Sequence, residues 1–73
     1  MKDRLIKLLA EQYGVVADTI TNDTDILSLG ADSLDLVETR VLIENEFNID
    51  IETNEFVENT TVSGLIGLIG SKI

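Results

Sequence analysis

The sequence contains neither cysteine nor histidine. Without cysteine there is no disulfide framework and no thiolate zinc site. Without histidine the commonest general base and the commonest metal-binding nitrogen are both missing. A Ser-His-Asp or Cys-His hydrolase cannot be assembled from such a chain. Proline is also absent, so Gly, Asn, Asp and Thr must punctuate the elements. No apolar run approaches the roughly 20 residues that a membrane-crossing helix requires. No signal-peptide core precedes the first amphipathic pattern. The expected address is therefore cytoplasmic, or an organelle matrix after processing, with no membrane contact.

Positive charge is scarce. Five basic residues stand against fourteen acidic ones, a formal net charge of -9. Lys2, Arg4 and Lys7 fall in the first turns and Lys72 lies at the end, while Asp18 to Glu58 holds twelve acids and a single base, Arg40. Such a field repels nucleic acid and attracts basic protein surfaces.

With 73 residues the chain is expected to form one domain, 1–73, with a thin core. Leu5, Ile6, Leu8, Leu9 and Tyr13 recur at helical spacing over 2–13, and Gly14 is the expected stop. Residues 15–32 form a long connection whose aliphatic points (Val15, Val16, Ile20, Ile26, Leu27 and Leu29) are expected to pack on the helices, with a short turn near Asp18–Ile20. A second helix, capped by Asp32 or Ser33, is predicted to run to about Phe47. Its acidic stripe holds Asp35, Glu38, Asn45 and Glu46, with Leu42 inside it. Its apolar residues form two broad sectors, which suggests packing against more than one neighbour. Residues 48–52 alternate but lack a partner strand, and are expected to be extended. Thr53–Glu58 can make one or two turns capped at Thr53. Thr60 or Thr61 can cap a last helix containing Gly64, Gly67 and Gly70, whose spacing would permit close backbone approach or leave the helix frayed. The fold class is all-α: a four-helix bundle, three main helices and one short, with a long loop between the first and second.

Asp23, Asp25, Asp32, Asp35 and Glu38 suggest oxygen ligands, but counting from Asp23 places Leu27 and Ser28 where a calcium loop needs a ligand and a glycine. No metal site is expected. Ser33 is different. It opens a helix, follows a glycine-containing loop, and sits where the helix dipole favours an added phosphate. The chain offers no base to activate its hydroxyl. If Ser33 reacts, another enzyme supplies the catalysis, and this protein is a substrate for modification.

Leu29-Gly30-Ala31-Asp32-Ser33-Leu34-Asp35 resembles the phosphopantetheine attachment motif of acyl carrier proteins. The likeness continues through Val37-Glu38, Glu44-Asn45-Glu46-Phe47, Ile51 and Thr60-Thr61-Val62, over about the whole chain. The resemblance implies that a phosphopantetheinyl transferase moves a 4'-phosphopantetheine arm from coenzyme A to Ser33, and that acyl groups then ride on the arm as thioesters. It implies that Asp32, Leu34, Asp35, Glu38, Val41, Glu44 and Glu46 face basic patches on that transferase and on acyl-transferring and chain-elongating synthases. It places the acyl chain near Val37, Ile43, Phe47 and Ile51. The implied protein is a monomeric carrier used by enzymes and not itself one. Gly-Ala-Asp-Ser-Leu-Asp is the fatty-acid form of the motif. Arg40 stands where fatty-acid carriers commonly place an aliphatic residue, and Val37-Glu38-Thr39-Arg40 is similar to carriers of modular polyketide and peptide synthases. A specialised carrier, or a structural or regulatory partner subunit, are the alternatives. Arg40 is expected to snorkel outward or to meet a carboxylate.

The excess of negative charge predicts that added monovalent or divalent salt raises the melting temperature, by screening self-repulsion. A thermal melt series across ionic strength checks this, and an unchanged midpoint would count against it.

Overall fold

The computed structural model describes residues 1–73. It contains four helices and no strand: α1 (Lys2–Tyr13), α2 (Ser33–Phe47), α3 (Thr53–Val57) and α4 (Val62–Lys72). The all-α bundle expected from periodicity is what forms, with the long connection between α1 and α2.

Helices α1 and α2 end by the same device. Gly14 has φ 66° and Asn48 has φ 54°, the left-handed conformation that glycine adopts freely and asparagine tolerates. The next N–H then reaches back five residues, from Val15 to the Ala10 carbonyl and from Ile49 to the Glu44 carbonyl, each at 3.1 Å. These bonds satisfy carbonyls that a helix end would otherwise leave open.

The connection is more ordered than its composition suggests. It holds two 3-10 turns, Ala17–Thr19 and Ile26–Leu29. The first lies beside the turn expected near Asp18–Ile20. The second was not foreseen, and rests on Asp25, whose carboxylate accepts the Leu27 N–H at 2.9 Å. The connection is also tied to the start of α4. Ile26 N–H donates to the Thr60 carbonyl, Val62 N–H to Thr24 and Ser63 N–H to Asn22, at 2.9–3.0 Å. Ile20 and Ile26 pack in the core as expected, whereas Val16 and Leu27 face solvent. The turns rotate these two outward, so they do not join the packing.

The core joins Leu5 and Leu9 of α1, Ile43 of α2, Ile51 and Phe56 from the segment around α3, and Val62, Leu65, Leu68 and Ile69 of α4. Thr39 of α2 is fully buried among them. Its hydroxyl lies 2.7 Å from Tyr13 Oη, 2.7 Å from Gln12 Oε1 and 2.8 Å from the Asp35 carbonyl. A threonine hydroxyl has one proton, so Tyr13 donates to it and Thr39 donates onward. Gln12 Nε2 donates to the same Asp35 carbonyl at 3.1 Å. Burial lifts the Tyr13 phenol above its ordinary value of 10.0.

Two expectations for the later helices need correction. The cap of α3 is Glu52 rather than Thr53: Glu52 keeps extended backbone and its N–H donates to Glu55 Oε1 at 3.0 Å, leaving Thr53 as the first helical residue. The glycines of α4 do not form a close-packed stripe. A Cβ at Gly64 would meet Thr61 Oγ1 at 3.0 Å and Asn59 at 3.2–3.3 Å, whereas Gly67 faces open space and Gly70 has only Met1 within reach. Nor does the helix end early. Thr61 caps it by accepting the Gly64 N–H, and it continues to Lys72.

At roughly 0.05–0.15 kcal/mol per residue, a domain of this length has a stability on the order of 4–11 kcal/mol. Ile43 is completely buried. Ile43→Ala is expected to remove about 2–5 kcal/mol, a large share of that total. Urea titration should show a lower midpoint, and a wild-type midpoint would mean that α2 is not anchored through this residue.

Candidate functional site

The site is built around the first turn of α2. Gly30, at φ 91°, turns the chain out of the second 3-10 turn. Asp32 then caps α2. Its Oδ1 accepts the Asp35 N–H at 2.8 Å, and Asp35 Oδ2 accepts the Asp32 N–H at 3.1 Å. This reciprocal box satisfies two donors that a helix start leaves open. It also decides between the two expected caps. Because Asp32 does the capping, the Ser33 hydroxyl is not consumed by it, and Ser33 stands exposed as the first helical residue.

Four apolar residues of α2 are exposed rather than packed: Leu34 at 70%, Val37 at 54%, Val41 at 41% and Leu42 at 40%. The second apolar sector therefore faces solvent instead of a neighbouring helix. The inward face of α2 is taken by the fully buried Thr39 and Ile43. Val37, Val41 and Leu42 line a shallow depression of about 240 Å³ together with Glu38. Glu38 is exposed, and both ion pairs of the molecule lie elsewhere.

The acidic residues named as a docking face are not equivalent. Glu38 is free, and Asp32 and Asp35 share the capping box. Glu44 is half-buried and accepts the Ile51 N–H through Oε2 at 2.8 Å. Glu46 is paired with Arg4: Nε and Nη2 donate to its Oε2 at 2.9 and 2.8 Å, and Nη2 also donates to its backbone carbonyl at 2.7 Å. The Arg4 guanidinium lies 4.8 Å from the centroid of the Phe47 ring. Glu44 and Glu46 thus hold the far end of α2 to its neighbours.

The four residues expected to shelter an acyl chain are not brought together in one cavity. Ile43 and Ile51 belong to the close-packed core, Phe47 lies under Arg4, and Val37 is exposed. What does open beside Ser33 is a groove of about 190 Å³, lined by Ser33, Leu36, Val37, Arg40, Thr53, Phe56 and Val57. Only Val37 was named for cargo from sequence. Leu36 and Arg40 could have been found by stepping three and seven residues from Ser33. The α3 residues carry no local signal, because their position beside α2 is a tertiary outcome. Glu55 on α3 has its carboxyl held below the usual 4.5 by the Lys72 ammonium and the Glu52 N–H. Its bond to Lys72, at 2.8 Å, fastens α3 to the end of α4.

Arg40 stays partly exposed and meets no carboxylate. Its Nη1 donates to the Ile51 carbonyl at 3.0 Å. The largest depression, about 530 Å³ between α1 and residues 17–20, does not include Ser33 and is bordered mainly by exposed charged side chains. No three acidic side chains converge as a set of metal ligands, and no helix is long and apolar enough to cross a membrane.

The geometry is that of a small helical domain presenting an exposed serine hydroxyl, not used in capping, at the head of α2. Comparison with known proteins makes this specific. The family model for the phosphopantetheine attachment site matches residues 3–69. The chain is 44% identical over 71 residues to an acyl carrier protein of Cylindrotheca sp. (strain N1), covering 96% of this chain and 89% of that protein. The NMR structure of the HMG-ACPI domain from the CurA module of Lyngbya majuscula superposes with a TM-score of 0.83, at 27% identity, over 96% of this chain and 71% of that one. The chain belongs to the acyl carrier protein family. Membership implies a covalently attached 4'-phosphopantetheine, and places the chain among proteins that serve phosphopantetheinyl transferases and synthase enzymes without catalysing reactions themselves. The residues present fit the arm: an exposed, uncommitted hydroxyl stands at a helix start, with an open groove beside it.

Asp32→Ala removes the acceptor of the Asp35 N–H and is expected to cost about 1 kcal/mol. Faster hydrogen exchange at the Asp35 amide, with little change in α4, would show that the loss is confined to the turn that presents Ser33. Unaltered exchange would mean that the cap does not hold this turn.

Proposed function

We propose that the chain carries acyl intermediates as thioesters on a 4'-phosphopantetheine arm attached to Ser33. Support comes above all from the Asp32 capping box, which leaves the Ser33 hydroxyl exposed beside an apolar groove. The Ser33 oxygen accepts the phosphopantetheinyl group of coenzyme A. One phosphorus–oxygen bond forms at Ser33 as the pyrophosphate link breaks, the adenosine bisphosphate portion departs, and the hydroxyl proton passes to the transferase. When bound, the arm supplies the thiol that this cysteine-free chain lacks. Leu34, Val37 and Val41, with Glu38 beside them, form the docking stripe for enzymes with a basic patch. Asp32 and Asp35 add charge at its upper end, while Glu44 and Glu46 act chiefly in holding α2. The groove between α2 and α3 is where the first part of a cargo chain can shelter, with Val37 on its wall; Ile43, Phe47 and Ile51 lie outside its lining. The carrier works as a cytoplasmic monomer.

Fatty acid biosynthesis is the pathway that the Gly30-Ala31-Asp32-Ser33-Leu34-Asp35 form supports. One observation favours a second reading, a specialised carrier such as one for polyketide chains: Arg40 borders the groove beside Ser33, at a position where fatty-acid carriers commonly place an aliphatic residue.

Incubation with a transferase and coenzyme A should add the mass of one phosphopantetheine, and Ser33→Ala should abolish the gain. Glu38→Lys should slow loading steeply at low salt and progressively less as ionic strength rises. A chain that stays unmodified, or a Ser33→Ala variant that still gains the arm, would overturn the assignment.

A further inference from the structure

Arg40 and Glu44 stand one turn apart on α2, the spacing at which opposite charges on a helix ordinarily meet. They do not pair with each other, because the ion pairs of the molecule are Arg4–Glu46 and Lys72–Glu55. Both reach instead to one residue of the connection that follows α2. Arg40 Nη1 donates to the Ile51 carbonyl at 3.0 Å, and Glu44 Oε2 accepts the Ile51 N–H at 2.8 Å. Two side chains thus bond both main-chain groups of a single residue, as a neighbouring strand would. Each bond has an ionised partner, and such bonds are stronger than neutral ones. No backbone group bonds to Ile51, while its side chain is buried in the core.

The place of this clip gives it a consequence. Ile51 is followed directly by Glu52, which caps α3, and by Thr53, the first helical residue. Thr53, Phe56 and Val57 form the α3 side of the groove beside Ser33. A helix of five residues does not hold itself. Phe56 and the Lys72–Glu55 bond fasten its body, but at its entry the polar ties to α2 are the two that Ile51 receives. We propose that Arg40 and Glu44 are positioning residues for the cargo groove: by clipping Ile51 to α2 they hold the start of α3 where its edge walls the space beside Ser33. The inference rests on the reading of Ser33 as the attachment point and of this groove as the shelter, and goes beyond it by assigning what keeps the shelter formed.

Hexanoyl and acetyl arms are loaded separately onto Ser33 from the corresponding acyl-coenzyme A by a transferase that accepts both, and intact mass follows cleavage of each thioester by hydroxylamine. Glu44 does not line the groove, so a change in cargo protection on replacing it has to come through α3. Glu44→Leu and Arg40→Met are each expected to speed cleavage of the hexanoyl thioester severalfold over the wild type. Neither should alter cleavage of acetyl, whose single methyl group has no chain to lay in the groove. Glu44→Gln and Arg40→Lys keep an acceptor and a donor for Ile51, and should retain most of the protection. Amide hydrogen exchange at Ile51 and Phe56 should quicken in the two apolar variants while Leu65 in α4 stays slow. If the apolar variants do not fold, the wild type decides: an Ile51 amide that exchanges as fast as an open chain overturns the clip. A chain that never gains the mass of the arm overturns the carrier reading and this inference with it. A loaded chain whose apolar variants protect hexanoyl as the wild type does, or expose both thioesters equally, overturns this inference alone.

Discussion

Helix α2 depends on one buried hydroxyl. Thr39 sits at the centre of the contact with α1, bonded to Tyr13, Gln12 and the Asp35 carbonyl. A buried polar group left without partners costs about 1–3 kcal/mol, so α2 cannot rotate about its axis without breaking the network. Together with the buried Ile43 that constraint sets the inward face, and Leu34, Val37, Val41 and Leu42 face solvent, although their composition alone would send them inside. A helix that is apolar on two sides is thereby left with one of them available to partners.

The ends of α2 are held by different chemistry, and the difference separates presentation from anchoring. At its start the Asp32–Asp35 box consumes backbone donors and spares the Ser33 hydroxyl. At its far end Glu44 reaches the Ile51 amide and Glu46 pairs with Arg4, which also covers Phe47. Acidic residues that look alike in a run of negative charge thus do unlike things. Some build the fold, while Glu38 stays open. The net charge acts at long range on every partner, but only a carboxylate without an internal bond is free to meet a basic side chain without first breaking one.

Helix α3 illustrates how a small domain obtains a groove without a large core. Five residues cannot hold a helix by themselves. Phe56 is buried to anchor it, Glu52 and Glu55 close its first turn, and Lys72 fastens it to α4. Thr53 and Val57 are left exposed along one edge. That edge meets Leu36, Val37 and Arg40 of α2 to make the groove, so one wall of it is the shortest α-helix of the bundle.

Much of this was legible in the amino-acid order alone. Helical spacing gave α1 and α2 nearly to the residue, Gly14 marked a stop because it adopts positive φ without strain, and the absence of histidine and cysteine excluded catalysis of its own by the commonest routes. Ser33 stood out because its neighbours, Gly30 through Asp35, form a local pattern, and local patterns survive in a one-dimensional reading. The rest was decided by contacts between residues distant in sequence. Arg40, expected to reach outward or to meet a carboxylate, stays partly exposed and reaches the Ile51 carbonyl, which no local pattern announces. Glu46, expected to face partners, also pairs with Arg4, 42 positions away. The cargo residues inferred from resemblance scattered between core and surface. Periodicity records which residues share a face of a helix, but not which face the rest of the chain will cover. Only tertiary packing, here pinned by Thr39, made that choice.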